Sequence, residues 1–251
     1  MSVSVIIITK NAQATLARCL ASVAWADEIV VVDSGSSDGT VEICKTAGAR
    51  FYVTEDWPGF GPQKNRALDY ATSDWVLSLD ADEWVSPELK TELQTVMARA
   101  GEAVAYAIPR RSSFCGRYMR HSGWWPDHVV RLFKRGAARF STDSTHERLI
   151  VEGKTVRLSH PIMHEAINDL EQMIGKMNSY STSTARARFD QGHTASLFTA
   201  VLHGAWAFFR TYVLRLGILD GREGFMLAVA NAEGSYYRYL KLMLLAEKAG
   251  R

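Results

Sequence analysis

One stretch, Trp75 to Trp84, constrains the fold more than any other part of the chain. The apolar run Trp75-Val76-Leu77-Ser78-Leu79 is followed at once by Asp80-Ala81-Asp82-Glu83, so three carboxylates fall within four positions. Such a run is typical of a buried strand that emerges at the edge of a sheet. Two aspartates one residue apart can reach the same divalent cation, and carboxylate oxygens suit Mg²⁺ or Mn²⁺. The alternative is a solvated turn before a helix that starts at Ser86-Pro87.

Strand and helix patterns alternate before this stretch. Strands are predicted over Val3–Thr9, Ile29–Asp33, Phe51–Val53 and Trp75–Leu79, and helices over Ala14–Ser22 and Gln63–Tyr70. This alternation predicts an α/β fold in which a mostly parallel sheet carries helices on both faces. Ligands bind such sheets at the carboxyl ends of the strands, where Thr9, Asp33 and Asp80 lie. We therefore expect these three residues to line one crevice.

Asp33 begins a loop of small residues, Ser34-Gly35-Ser36-Ser37-Asp38-Gly39-Thr40. Its carboxylate can accept hydrogen bonds from a ribose or a base edge, and the small residues let a nucleotide approach closely. An Asx-turn or a helix cap explains the same residues equally well. The glycines do not form the Gly-x-Gly-x-x-Gly pattern of dinucleotide binders, which disfavours a nicotinamide cofactor.

Composition narrows the class of protein. The 251 residues are 47% hydrophobic and 22% charged, as in a globular protein with a sizeable core. A formal net charge of +2 argues against broad electrostatic binding of nucleic acid. The three cysteines are widely spaced and odd in number, so we expect reduced thiols rather than a disulfide framework. The chain enters an apolar strand directly, so we expect no signal peptide and a cytoplasmic location.

Four segments resemble the family 2 glycosyltransferases in sequence, order and spacing. They are Ser4–Asn11, Val31–Thr40, Gln63-Lys64-Asn65 and Leu79–Glu83. The similarity covers most of the chain and is greatest to bacterial lipopolysaccharide core enzymes, particularly those of the glucosyltransferase type. It implies a GT-A fold, an inverting mechanism and a nucleotide-diphosphate sugar donor, with UDP-glucose as the expected donor. The donor-binding half would comprise residues 1–105.

The resemblance also implies roles for residues of the donor-binding half. Asp33 would hold the nucleoside, and Lys64 would lie near the donor. Asp80 and Asp82 would form the pair that contacts ribose and a Mg²⁺ or Mn²⁺ ion. Thr9 and Asn11, at the end of the first strand, are assigned to the same donor site.

Arg131 is a further donor-site candidate. It falls in the predicted strand Val129–Phe133, where its guanidinium could neutralise the donor phosphate. A surface salt bridge is the alternative.

The predicted acceptor-binding half comprises residues 106–167. Trp124, Trp125 and Asp127 are expected to form a wall against which the acceptor sugar stacks, although such aromatic residues equally fill gaps in a core. By the resemblance, Glu147 is the carboxylate that deprotonates the acceptor hydroxyl. His146 is the second candidate for this base, since its pKa lies closer to neutrality. A surface ion pair between Glu147 and Arg148 is the alternative.

His164, together with His160, adds a secondary candidate for a metal or phosphate contact. Both histidines flank the short apolar segment Pro161-Ile162-Met163. A buried histidine whose ring is hydrogen-bonded to the backbone explains the pattern at least as well.

Residues 168–251 are predicted to be a helical region. The apolar run Ala195–Phe209 meets Arg210 before it reaches the roughly 20 residues of a membrane span, so we expect that it does not cross. Tyrosine and basic residues along the last helix, from Tyr236 to Lys248, suit a segment that lies in the lipid headgroup layer. The alternatives are a helical hairpin packed on the catalytic domain or a homo-oligomer interface.

The leading hypothesis is a metal-dependent inverting hexosyltransferase. It would act on a lipid-linked saccharide or lipopolysaccharide core, as a peripheral protein on the cytoplasmic face of the bacterial inner membrane. Two alternatives remain open. A sugar nucleotidyltransferase is disfavoured because the N-terminal region shows no glycine-rich basic phosphate loop. A noncatalytic, membrane-associated binding protein is the other.

Overall fold

The computed structural model describes residues 1–99, 101–142 and 147–250. The strands are β1 (Val3–Thr9), β2 (Glu28–Asp33), β3 (Arg50–Val53), β4 (Trp75–Asp80), β5 (Glu83–Val85), β6 (Ala103–Phe114), β7 (Arg117–Tyr118), β8 (Asp127–Lys134), β9 (Ala138–Phe140), β10 (Leu149–Val151), β11 (Lys154–Arg157) and β12 (Ile162–Ile167). The helices are α1 (Gln13–Ser22), α2 (Thr40–Thr46), α3 (Phe60–Tyr70), α4 (Pro87–Ala98), α5 (Leu170–Asp190), α6 (Leu197–Phe209) and α7 (Gly221–Lys248). A π-helical turn (Arg210–Leu214) and a 3₁₀ turn (Gly217–Asp220) lie between α6 and α7.

The main sheet is mixed. Its first four strands are parallel in the order β3-β2-β1-β4, which confirms the parallel arrangement predicted from the alternating pattern. Beyond β4 the order continues with β8 and β6, which pair antiparallel. Parallel neighbours need a crossover connection, usually a helix, whereas no helix separates β6 from β8 in the chain. The α/β fold is as predicted, with a larger antiparallel share than expected.

Apolar side chains cover both faces of this sheet. Val5 and Ile7 of β1 pack in the same cluster as Leu16 and Leu20 of α1. Ile6, between them in sequence, belongs to the opposite cluster with residues of α3. Successive side chains of a strand point to opposite faces, so a strand that is buried on both sides needs an unbroken apolar run. The central strands are therefore fixed between two layers of helices.

The chain divides into two compact units. The sheet unit contains Met1–Arg110 and Asp127–Glu165, and the helical unit contains Arg111–Pro126 and Ala166–Arg251. The helical unit thus takes a short segment from the middle of the chain in addition to the C-terminal helices. The functional division into residues 1–105, 106–167 and 168–251 stays a prediction.

Asp220 holds the middle segment of the helical unit to the start of α7. This carboxylate is fully buried and accepts hydrogen bonds from the backbone N–H groups of Arg120 (3.0 Å) and His121 (2.9 Å). The hydroxyl of Ser122 donates a further bond to it at 3.1 Å. A buried carboxylate is costly unless it is hydrogen-bonded, and these donors meet that need. Phe114 and Met119 of the same segment pack in one cluster with Leu227 of α7.

The apolar run at α6 extends further than its sequence suggests. The helix continues past Phe209 as the π-helical turn that begins at Arg210, so this charged residue does not end it. In the described part of the chain, Leu197–Leu214 is the one segment long and apolar enough to cross a membrane, by length and composition alone. It has 18 residues, a mean hydropathy of 1.2 and 22% of its residues buried. That it does not cross stays a prediction.

Candidate active site

Lys64 connects two carboxylates in the sheet unit. Its side chain is almost fully buried, and its Nζ lies 2.9 Å from Oδ1 of Asp80, at the end of β4. The same Nζ lies 3.0 Å from Oε1 of Glu147, which lies shortly before β10. The second oxygen of Asp80, Oδ2, contacts the guanidinium of Arg131 in β8. One ammonium group therefore positions the predicted base beside the predicted donor-binding acid.

Arg131 is shared between Asp80 and Glu83. Glu83 is fully buried, with Oε1 2.6 Å from Nη2 of Arg131 and 3.7 Å from Nη1 of Arg110. Arg110 in turn donates to Asp127 at 3.1 Å from Nε and 2.7 Å from Nη2. The ion pair considered as the alternative for Arg131 is present and buried rather than on the surface. Its role at the donor phosphate stays a prediction, as does the acceptor role of Asp127.

Burial and charge act on these groups in opposite directions. Burial raises the pKa of Asp80, but the charges of Arg131 and Lys64 outweigh it and hold that pKa well below its usual range. For Glu83, burial is the largest influence and, helped by the charge of Asp80, raises the pKa against the attraction of Arg131. Burial lowers the pKa of Arg131, but the charges of Asp80 and Glu83 outweigh burial and raise this pKa above its usual value. Asp80 and Arg131 are therefore both charged at neutral pH.

Helix α3 lies close to the segment that carries Glu147. A Cβ added to Gly61 would lie 1.9 Å from the carbonyl oxygen of Ser141 and 3.4 Å from Cβ of Glu147. The Asn65 side chain exchanges two hydrogen bonds with the backbone of Phe140, at 2.9 and 3.0 Å. Gly61 was not identified from the sequence, where its signal is a glycine two positions before Gln63-Lys64-Asn65. Only a residue without a side chain allows this approach.

Asp33 lies with Thr9 and Asn11 at the carboxyl ends of β1 and β2. Its Oδ1 accepts from the hydroxyls of Thr9 at 2.8 Å and Ser36 at 2.5 Å, and its Oδ2 accepts from the backbone N–H of Ser36 at 2.7 Å. The N–H of Asn11 donates to Oγ of Ser36 at 2.7 Å. Asp33 thus orders its own turn, as the alternative interpretation proposed. Asp33 is buried and both of its oxygens already accept hydrogen bonds, and the nucleoside contact stays a prediction.

Asp82 and His164 form a second pair, and Asp82 keeps its carboxylate partly exposed. Oδ2 of Asp82 lies 3.4 Å from Nε2 of His164. Pairing of β5 with β12 places His164 opposite Glu83, and the N–H of Glu165 donates to the Asp82 carbonyl at 3.0 Å. Within the described ranges, no three His, Cys, Asp or Glu side chains gather into a metal site. A metal ion here would have two protein ligands, a number that Mg²⁺ commonly supplements with water and substrate phosphate. The pair therefore fits the predicted ion. Both oxygens of Asp80, the other predicted metal ligand, already contact cations, and its metal role stays a prediction.

Three candidates remain, two tryptophans and His146. Trp124 and Trp125 belong to the helical unit, where Trp124 packs edge-to-face on Phe114 with ring centroids 5.9 Å apart. The guanidinium of Arg111 lies 5.6 Å from the ring centroid of Trp125. His146 falls outside the described residues. The acceptor roles of the tryptophans stay predictions.

A partly parallel sheet between helices, with acids at the ends of its parallel strands, agrees with the predicted GT-A type of fold. A solved structure with this fold, S. aureus TarS residues 1–349 in complex with UDP, matches with a TM-score of 0.51 at 16% identity, over 100% of this chain and 92% of that one. The profile of glycosyl transferase family 2 matches residues 4–154. The chain belongs to glycosyl transferase family 2, which confirms the resemblance seen in the sequence.

Two relatives are similar over almost their whole length. An uncharacterised glycosyltransferase of Rickettsia typhi is 31% identical, over 98% of this chain and 88% of that protein. The lipopolysaccharide core biosynthesis glycosyltransferase LpsC of Rhizobium meliloti is 28% identical, over 95% of this chain and 93% of that protein. The similarity therefore includes the helical unit as well as the sheet unit.

Proposed function

We propose that this protein is an inverting hexosyltransferase that moves glucose from UDP-glucose to a lipopolysaccharide core or another lipid-linked saccharide. It acts at the cytoplasmic face of the inner membrane. The observation that carries the proposal is the bridge from Asp80 through Lys64 to Glu147, at 2.9 and 3.0 Å. The UDP bound by TarS supports the choice of donor, and the role of LpsC in lipopolysaccharide core biosynthesis supports the choice of acceptor.

The donor end of the mechanism uses residues that are already held in place. Asp33 accepts a hydrogen bond from the nucleoside, and Asp80 accepts one from the ribose. Lys64 and Arg131 hold the Asp80 carboxylate in one orientation, so little freedom remains to be lost when the donor binds. The positive charge of Lys64 favours the diphosphate that accumulates negative charge as it departs.

Glu147 acts at the acceptor end. Lys64 holds one oxygen of its carboxylate, and the other receives the proton of the acceptor hydroxyl. The acceptor oxygen attacks the anomeric carbon from the face opposite the diphosphate and forms the new C–O bond. The old C–O bond breaks at the same time, and its electron pair leaves on the diphosphate. A single displacement of this kind inverts the anomeric configuration.

Asp82 and His164 are the residues that would hold a Mg²⁺ or Mn²⁺ ion. When bound, the ion supplies positive charge that stabilises the departing diphosphate. The Asp82 carboxylate is partly exposed, so solvent and a bound donor could reach it.

Release of free UDP from UDP-glucose tests the proposed function. We expect release that depends on a lipopolysaccharide core acceptor and on Mn²⁺, with a β-linked glucosyl product detected by mass spectrometry and NMR. Binding of UDP-glucose without any release would favour a noncatalytic binding protein. Formation of UDP-glucose from UTP and glucose 1-phosphate would favour a nucleotidyltransferase.

Replacement of Gly61 by alanine tests the close approach of α3 to the Glu147 segment. The added methyl would occupy the position of the Ser141 carbonyl, so that segment must move and separate Glu147 from Lys64. We expect much lower turnover and a stability loss of about 1–3 kcal/mol, measured by enzyme kinetics and urea unfolding. Gly101→Ala is the control, since nothing lies within 4 Å of its added Cβ. Equal turnover in the two variants would show that the close approach is not needed.

The metal assignment predicts the behaviour of Asp82→Asn, which keeps the shape of the side chain and removes its charge. Saturation of the wild type with UDP and Mn²⁺ at 100 times the dissociation constant adds about 2.7 kcal/mol of stability. In thermal unfolding, we expect the variant with UDP and Mn²⁺ to be no more stable than the variant with UDP alone. Asp69→Asn, at an exposed ion pair with Arg139, is the control. A full Mn²⁺ effect in Asp82→Asn would assign the ion to other residues.

A further inference from the structure

The helical unit contains a cavity that the proposed transfer reaction does not use. Its volume is about 340 Å³, and Arg210, Arg215 and Arg238 all line it. Arg210 opens the π-helical turn, Arg215 follows that turn, and Arg238 belongs to α7. The indole rings of Trp124 and Trp206 line the same space. Three arginines from separate positions of the chain therefore meet at one cavity.

The charges of these arginines are not balanced by protein groups. In the part of the chain that the structure describes, none of the three guanidinium groups forms an ion pair, although Arg110 and Arg131 of the sheet unit pair with acids. Nε of Arg238 is buried without a hydrogen-bond partner. A buried N–H group without a partner costs free energy, because it has lost its hydrogen bonds to water and gained none in the protein. The cavity thus has one buried donor without a partner, on Arg238, and two further guanidinium groups that no acid of the described residues neutralises.

Glycine at position 123 allows one of the arginines to reach the cavity. Gly123 has a φ of +78°, and a Cβ added there would lie 2.4 Å from Nη1 of Arg215. The guanidinium of Arg215 therefore lies directly against the backbone of the segment that carries Trp124. Asp220 fixes that segment through its bonds to residues 120–122. The backbone of this part of the cavity wall is therefore held in place, while Arg210 and Arg215 keep exposed side chains that a ligand can reach.

The chemistry of the cavity favours phosphate. A guanidinium group matches the geometry of phosphate or carboxylate oxygens through two parallel hydrogen bonds. One carboxylate offers a single negative charge and two oxygens, which is too little for three arginines. A phosphomonoester has nearly two negative charges and three terminal oxygens. Asn231 and Ser235, which also line the cavity, add side-chain hydrogen-bonding groups.

The surface beside the cavity indicates where such a phosphate would come from. Trp206 lines the cavity and is also 52% exposed, and its neighbours Leu202, Phe209 and Val213 are exposed as well. Soluble monomers rarely expose so much contiguous apolar surface unless it binds something. An arginine cavity beside an exposed apolar helix suits a lipid, whose headgroup and acyl chains need both surfaces.

We propose that this cavity binds the phosphomonoester headgroup of an anionic lipid, with the exposed side of α6 and the π-helical turn against the acyl region. The inference rests on the proposed function for its membrane setting. The new element is a specific site for a lipid phosphate within the helical unit. Its test measures binding alone, so its outcome is independent of sugar transfer.

The experiment compares vesicles of phosphatidylcholine that contain phosphatidic acid, a phosphomonoester, with vesicles that contain phosphatidylglycerol at the same surface charge. We expect the wild type to co-sediment more strongly with phosphatidic acid. Because each arginine makes charge-assisted bonds, Arg210→Gln and Arg238→Gln should each weaken that binding about tenfold or more. The control is Arg186→Gln, at an exposed position of α5, which should weaken binding to both vesicles equally and by no more than about fivefold.

Each alternative has its own outcome. Equal binding of the wild type to the two kinds of vesicle would overturn the proposal without any variant. So would arginine variants that fold, by circular dichroism, and bind as Arg186→Gln does. Stabilisation by free glycerol 3-phosphate, with no binding to phosphatidic acid vesicles, would identify a soluble phosphate instead of a lipid and overturn the lipid assignment. Glu147→Gln should keep full vesicle binding, which separates this site from the transfer reaction.

Discussion

Replacement of Glu147 by glutamine is expected to lower turnover by about 10²–10⁴-fold, the usual contribution of a positioned general base. The amide keeps the shape of the side chain, and its oxygen can still accept a hydrogen bond from Nζ of Lys64, 3.0 Å away in the wild type. It cannot accept the proton of the acceptor hydroxyl. The affinity for UDP-glucose, measured by calorimetry, should therefore stay close to that of the wild type while kcat falls.

The control for this prediction is Glu152→Gln, at an exposed position of the same unit. It makes the same chemical change away from Lys64 and should leave kcat unchanged. A nearly normal kcat in Glu147→Gln would contradict the assignment and give the role of base to His146, the second candidate in the sequence. A loss of donor affinity as large as the loss of kcat would place Glu147 in donor binding instead.

Replacement of Arg131 by methionine is expected to cost about 3–5 kcal/mol of stability, because it leaves the buried Glu83 and the partly buried Asp80 without their shared counterion. Glu83 has no exposed surface and lies 2.6 Å from Arg131. Asp80 keeps only Lys64 as a charged partner at its two oxygens. Urea unfolding of the two proteins at neutral pH measures the difference.

The pH dependence of this variant follows from the sign of the shifts. In the wild type, the lowered pKa of Asp80 stabilises the fold at neutral pH, and this contribution is lost as the pH falls below the usual carboxyl range. Without Arg131 the pKa of both acids rises in the folded state. The variant should then regain part of its stability as the pH falls from 7 towards 5, because the folded state takes up protons that the unfolded state does not.

Arg139→Met is the matched control, since its ion pair with Asp69 is exposed on both sides. Exposed pairs contribute about 0–1 kcal/mol, so this variant should unfold almost as the wild type does. A similarly small effect for Arg131→Met would mean that Asp80 and Glu83 are stabilised in another way, either by entering water or by a rearranged Lys64 or Arg110. It would then weaken the view that Arg131 is needed to hold Asp80 in position.

Local sequence patterns were sufficient to predict the sheet and its ligand-binding edge. The largely apolar runs of β1, β2 and β4 need burial on both faces, and in parallel sheets helices on each side usually provide it. Because β2 and β4 both run parallel to β1, the acids at their carboxyl ends lie at the same edge of the sheet. The antiparallel share of the sheet was underestimated, because apolar runs do not record the direction of pairing.

Contacts between distant residues were beyond the reach of these patterns. Lys64 and Glu147 are 83 positions apart, and no periodicity relates them. Arg131 was expected either at the donor phosphate or on the surface, because its buried partners depend on the register of β8 against β4. The arginine cavity joins three residues whose separate positions gave no sign of a common site. Such features depend on packing, which a local pattern does not specify.

The bonds that Asp220 makes with residues 120–122 have a consequence for the synthesis of the chain. The backbone N–H of Arg120 finds its partner 100 positions later. At about 5–20 residues per second, the ribosome needs roughly 5–20 s to supply it. During that interval Phe114 and Met119 have not yet met Leu227, which is in the same cluster of the finished fold. A chimera between relatives should for the same reason exchange residues 111–126 together with 166–251, because the Ser122–Asp220 hydrogen bond and the packing of Phe114 and Met119 with Leu227 join side chains of the two segments.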